Sequence, residues 1–157
     1  MRLVARFEFQ LLYGQIFVHR PGEGGFPLWT DDHVAQGFAW RPPCVAFGIP
    51  DHDGESEVTV ALGTPPPLAA DCTRAIETPF EVPAAGAEIG GLAGSRVLPI
   101  PPGPCQIRFD LRPRPDGQGY AIGLVFMPGA PRRFAILRRD AEMASDAVLT
   151  TEAEEAR

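Results

Sequence analysis

Lysine is missing from this chain of 157 residues; all 14 of its Lys/Arg positions are arginine. That absence removes several chemistries at once. A Walker-type phosphate loop requires its lysine, and a Schiff base or a lysine general base requires an amine that can shed its proton. Serine is scarce as well. Ser56, Ser95 and Ser145 are the only ones, and none lies in a G-x-S-x-G nucleophile elbow. Cys44, Cys72 and Cys105 are odd in number and form no C-x-x-C pair, which argues against a disulfide framework and against a structural zinc site. His19, His33 and His52 show neither H-x-H nor H-E-x-x-H spacing. No window approaches the ~18 consecutive apolar residues of a membrane span. Arg2, Arg6 and Glu8 interrupt any signal-peptide core. The expectation is a cytoplasmic protein with no membrane span, no metal and no cofactor.

Proline and glycine, by contrast, are plentiful, at 18 and 17 residues. Each would interrupt a helical hydrogen-bond ladder, so the chain reads as short strands joined by turns. Hydrophobic content of 45% with 10 Phe is ample for one core. Strands are expected within Arg2–Arg20 (one bent or two, with a kink at Gly14), then at Cys44–Gly48, Glu57–Leu62 and Arg74–Val82. More are expected at Arg96–Ile100, Gln106–Arg112, Tyr120–Met127 and Arg133–Leu137. In Gln106–Arg112 the alternation is clearest, with Ile107, Phe109 and Leu111 against Arg108, Asp110 and Arg112. Thr30 can cap a short helix, Asp31 and Asp32 suit its first turn, and Gly37 can end it. The fold class is therefore all-β: an antiparallel β-sandwich of about eight short strands with one short helix. Residues 1–139 are read as the sandwich domain, and residues 140–157 as an acidic tail, either a frayed helix or disordered.

Charge is unevenly spread. Residues 1–104 carry net −6, residues 105–139 net +5 and the last 18 residues net −5. Overall acidity disfavours direct nucleic-acid binding and favours a basic protein partner. The run Asp51-His52-Asp53-Gly54-Glu55-Ser56-Glu57 begins like a calcium loop but lacks its remaining ligands, so a solvated hairpin turn is the better reading. His33, next to Asp31 and Asp32, is read as an ordinary helix-face histidine. The glycine-rich stretch Gly86–Gly94 lacks the strand-to-helix context of a dinucleotide loop and reads as a mobile β–β connection. Arg108, Arg112, Arg114, Arg132, Arg133, Arg138 and Arg139 could together form a cationic plate; neutralisation by the acidic tail, Asp110 or Asp116 is the competing reading.

Three sets of residues in order carry a family resemblance. They are the strand Tyr13-Gly14-Gln15-Ile16-Phe17-Val18, then Trp29-Thr30-Asp31 followed by Gly37-Phe38, then Glu77-Thr78-Pro79-Phe80-Glu81-Val82. Arg96, Leu98 and Pro102-Gly103 extend the pattern. In order and spacing, over roughly residues 10–127, the chain resembles the competence protein J family, small intracellular inhibitors of the DNA-entry nuclease. It departs from the family in a Pro-rich insertion around Thr64–Leu68, in having no Lys and in an extended C-terminus. The resemblance implies a non-catalytic, stoichiometric inhibitor that covers the cationic cleft of a basic nuclease. It transfers no catalytic residues. The acidic residues suited to that role are Asp31, Asp32, Asp51, Asp53, Glu55 and Glu57, with Trp29 as an aromatic anchor. The alternative class is a non-catalytic ligand- or carbohydrate-binding sandwich module, with Trp29 or Trp40 as a stacking platform.

Overall fold

The protein is described by a computed structural model covering residues 1–50 and 54–157. Among these residues the elements run β1 (Arg2–Leu11), β2 (Gln15–His19), α1 (Asp31–Gln36), β3 (Phe38–Arg41), β4 (Cys44–Gly48) and β5 (Gly54–Leu62). Then come β6 (Arg74–Val82), β7 (Ala87–Gly91), β8 (Gly94–Leu98), β9 (Gly103–Pro113), β10 (Tyr120–Pro128) and β11 (Ala135–Arg138). They form a six-stranded sheet ordered β1-β5-β10-β9-β6-β11 and a five-stranded sheet ordered β3-β4-β2-β7-β8. Every pairing is antiparallel except β5 with β10, which is parallel.

The all-β fold with one short helix agrees with the sequence reading, but the strands number eleven rather than eight. The extra ones are β3, β7 and one from the division of Arg2–Arg20 into β1 and β2. Gly86–Gly94, expected to be a mobile connection, instead holds β7, which pairs with both β2 and β8. The stretch from Arg2 to Arg20 resolves into two strands that belong to different sheets, with the change of sheet at Tyr13-Gly14.

Alternation fills the core. Ile107, Phe109 and Leu111 of β9 are fully buried between the sheets, and Phe47 of β4 stacks on Phe109 with ring centroids 4.7 Å apart. Removing one such Phe side chain from water contributes about 1.5–3 kcal/mol.

Residues 140–157 form no helix here; they run as a strap along the β3 edge. Ala153 N–H donates to Trp40 O at 2.8 Å, Leu28 N–H to Glu154 O at 2.7 Å and Ala156 N–H to Phe26 O at 2.8 Å. The strap's own Met143 and Ala153 are buried, Met143 within the core. The strap satisfies backbone groups that an open sheet edge would leave free to pair with another chain.

Candidate functional site at the helix end of the sandwich

Helix α1 is built from a reciprocal cap. The Thr30 backbone N–H donates to His33 Nδ1 at 2.9 Å, and the Thr30 hydroxyl lies 2.9 Å from the same nitrogen. A ring that accepts at Nδ1 is neutral and carries its proton on Nε2. Burial lowers the His33 pKa below the ordinary histidine value, and the charge of Asp32 offsets this only in part. His33 is thus buried and structural rather than a face residue. Gly37 closes the helix in the left-handed region at φ 85°, donating to His33 O at 2.9 Å. Asp31 and Asp32 remain exposed in the first turn, where the helix dipole favours them.

This short helix sits against the corner where the chain passes from β1 to β2. The Trp29 indole N–H donates to Gln15 Oε1 at 3.0 Å, and Ile49 N–H donates to Gly14 O at 2.7 Å. Between them is a shallow hollow of about 200 Å³, lined by Trp29, Val34, Gly14, Pro50 and Glu142. Arg74 backs it, held bidentate by Asp140 at 2.8 and 2.9 Å and donating to Gly48 O at 2.7 Å. Tyr13 beside Gly14 is 79% exposed and Val34 59% exposed. The end of the sandwich therefore presents apolar and aromatic edges flanked by Asp31, Asp32 and Glu142.

The structure brings together Trp29, Asp31 and Asp32. Glu55 is exposed at the same end, because Gly54 opens β5 opposite Leu11, the last residue of β1. Glu57 shares that outward face of the six-stranded sheet but sits two residues farther from the end, opposite Glu8. Asp51 and Asp53 fall outside the described residues. Tyr13 and Val34 were not singled out as contact residues from the sequence, although an aromatic next to a glycine at a sheet-changing corner is a recognisable signal.

Other constellations resolve as follows. Trp40 is buried, and its indole N–H donates to Pro79 O at 2.8 Å, so it offers no stacking platform. The arginines of residues 105–139 do not merge into one plate. Arg114 pairs with Glu8 at 2.9 Å, Arg133 with Glu77, and Arg138 with the carbonyls of Ala69 and Cys72. The neutralising groups are Glu8 and Glu77, together with the expected Asp110 beside Arg108 and Asp116 near Arg114, rather than the tail, whose Asp140 is taken by Arg74. Ser95, Glu88 and His19 form a polar chain, with Ser95 Oγ donating to Glu88 Oε2 at 2.5 Å and His19 Nδ1 2.8 Å from Glu88 Oε1. Ser95, and then His19, holds the Glu88 carboxyl below its usual range against the effect of burial. The carboxylate stands between hydroxyl and imidazole, so no imidazole faces Ser95 as a base. Among the described residues no cluster of His, Cys, Asp and Glu could hold a metal ion, and no helix is long and apolar enough to cross a membrane.

Fold and site together define an all-β sandwich domain that gathers carboxylates and exposed aromatic edges at one end. A sequence model of the competence protein J (ComJ) family matches residues 8–127, and the chain belongs to that family. The crystal structure of ComJ from Bacillus subtilis, described as an inhibitor of the DNA degrading activity of NucA, superposes with a TM-score of 0.68. It is 18% identical, and the match covers 80% of this chain and 97% of that chain, so what the two share is the fold. A search of curated proteins finds no match. The family match ends before β11 and the strap, which lie at residues 135–157.

Proposed function

We propose that the protein is a stoichiometric inhibitor of a DNA-entry-type nuclease, acting by covering the nuclease cleft without chemistry of its own. The carrying observation is family membership over residues 8–127. The surface at the helix end supplies the physics. A cleft that binds DNA must be cationic to hold phosphates, and carboxylates fixed on a rigid sandwich can occupy those subsites. The formal charge of −6 speeds encounter with such a partner. Exposed ion pairs add little affinity by themselves, so the apolar edges of Trp29, Tyr13 and Val34 would form the desolvated centre and Asp31, Asp32 and Glu55 its charged rim. The three free cysteines, all buried, suit action in a reducing cytoplasm. Trp40 has no face to offer a sugar, which weakens the carbohydrate-module reading.

The test is a DNA-degradation assay with a DNA-entry-type nuclease from the same host, titrated with the intact protein. Inhibition should saturate at a fixed molar ratio and weaken with salt. The double charge reversal Asp31→Arg plus Asp32→Arg should weaken it about 10–100-fold, equivalent to about 1–3 kcal/mol. Undiminished inhibition by that variant would refute this surface, and no inhibition by wild type would refute the function.

A further inference from the structure

The outer face of the six-stranded sheet holds a second cavity, of about 260 Å³, separate from the hollow beside Trp29. Its floor is Ala121, Gly123 and Val125 of β10, and its roof is Pro66 and Pro67 in the β5–β6 loop. The roof is tied down, because Arg138 Nη1 donates to the carbonyls of Ala69 and Cys72, both at 2.9 Å.

One wall carries Arg108 and Asp110, neighbours on the outward side of β9. Arg108 is 8% exposed, and its buried Nε–H meets no hydrogen-bond acceptor among the described residues. Asp110 lies 3.9 Å from that nitrogen, within ion-pair range but too far for a hydrogen bond. Burial raises the Asp110 pKa above the usual carboxylate range, despite Arg108 and Arg112 nearby. The carboxyl lies across Gly123, where any Cβ would come within 2.8 Å of both its oxygens. Glycine on β10 thus keeps this spot open.

A buried donor and a largely buried acceptor therefore stand side by side, neither satisfied by the other. Groups in that condition are costly unless something hydrogen-bonds to both. A single bridging water would fill only about 30 Å³, a small part of the space. Arg6 and Arg112 add positive charge to the lining and Glu57 negative, so a ligand carrying both signs leaves neither unmatched.

We infer that this cavity binds a small zwitterion of the α-amino acid class, with its carboxylate on Arg108 and its ammonium on Asp110. Each contact is a charge-assisted hydrogen bond.

The test follows the arginine Nε–Hε resonances of the full-length protein during titration with glycine, and separately with acetate and with methylammonium, which each carry half of its charge. Glycine should shift Arg108 saturably and bind about tenfold more tightly than either half. Arg108→Gln and Asp110→Asn should each lower glycine affinity about tenfold. Should either variant fail to fold, the wild-type comparison decides alone. Acetate matching glycine would reveal a plain anion site and overturn the proposal, as would methylammonium matching it. An Arg108 shift no larger than that of exposed Arg139 would overturn it too, leaving a notch filled by water.

Discussion

Replacing Gln36 with leucine should detach the C-terminal strap from the helix that carries Asp31 and Asp32. Gln36 is fully buried at the end of α1 and uses every polar atom it has. Its Nε2 donates to Phe38 O at 3.0 Å and Thr150 O at 2.8 Å. Its Oε1 accepts from Leu149 N–H at 2.7 Å and Thr150 N–H at 3.0 Å. Leucine keeps the volume and removes all four bonds. At about 0.5–1.5 kcal/mol net for each, and with water able to reach the half-exposed strap, the loss should be about 2–4 kcal/mol. In a domain of this size that lowers the melting temperature by about 5–15 °C. Urea unfolding gives the energy, and hydrogen exchange at the Leu149 and Thr150 amides locates it. Gln36→Glu should be at least as damaging, since it buries a charge and cannot donate to the two carbonyls. A loss below about 1 kcal/mol with both amides still protected would show that Met143 and Ala153 hold the strap without Gln36.

Asp140→Ala leaves the Arg74 guanidinium buried without its counter-ion, and urea unfolding should show a loss of about 3–5 kcal/mol. A change within the noise would mean that Gly48 O alone satisfies Arg74. Because burial lowers the His33 pKa, the unfolded chain binds the extra proton first as pH falls. The stability of the cap is therefore complete above the ordinary histidine pKa of about 6.5 and is lost as pH falls through the lower folded value. Urea midpoints between neutral pH and pH ~5 should decline more steeply for wild type than for His33→Gln; equal slopes would contradict this. Burial pushes the Cys105 thiol up to about 12 and the Cys44 thiol higher still. Both should resist alkylation at pH ~8 until the protein unfolds, so rapid modification of the folded chain would show that the sandwich opens locally.

Much of this architecture is legible in the residues, where one physical signal dominates. Alternation in β9 survives folding intact, with its apolar residues inside and Arg112 outside. Helix α1 was legible because Thr30, Asp31, Asp32 and Gly37 each occupy the position their chemistry prefers. Strand β3 carries no alternation to read, because Phe38, Ala39 and Trp40 are all buried, with β4 along one edge and the strap along the other. Strand β7 was hidden by glycines that serve packing. A Cβ at Gly90 would collide with Ser95 on β8, so the residue that looks like a loop is what lets the hairpin close. The strap left no sequence signal, since side-chain contacts from Gln36 and Arg74 and a few backbone bonds hold it. The cavity on the outer sheet face was equally hidden, because it depends on β5 lying parallel beside β10 and bringing Glu57 and Thr59 across from Arg112 and Asp110. Of the proposed contact surface, Trp29, Asp31 and Asp32 are neighbours already in the sequence, while the common outward face of Glu55 and Glu57 depends on strand register.

Whether the protein works by covering a nuclease is tested most directly by hydrogen–deuterium exchange on a mixture of the intact protein with a DNA-entry-type nuclease of its host. Binding should slow exchange across residues 29–36, which carry Trp29 and helix α1, and around Gly54 and Glu55, while the β8 edge strand stays unchanged. Slowed exchange confined to β8 or to the outer sheet face would contradict the proposed surface, and unchanged exchange everywhere in a mixture at saturating concentration would contradict the covering mechanism altogether.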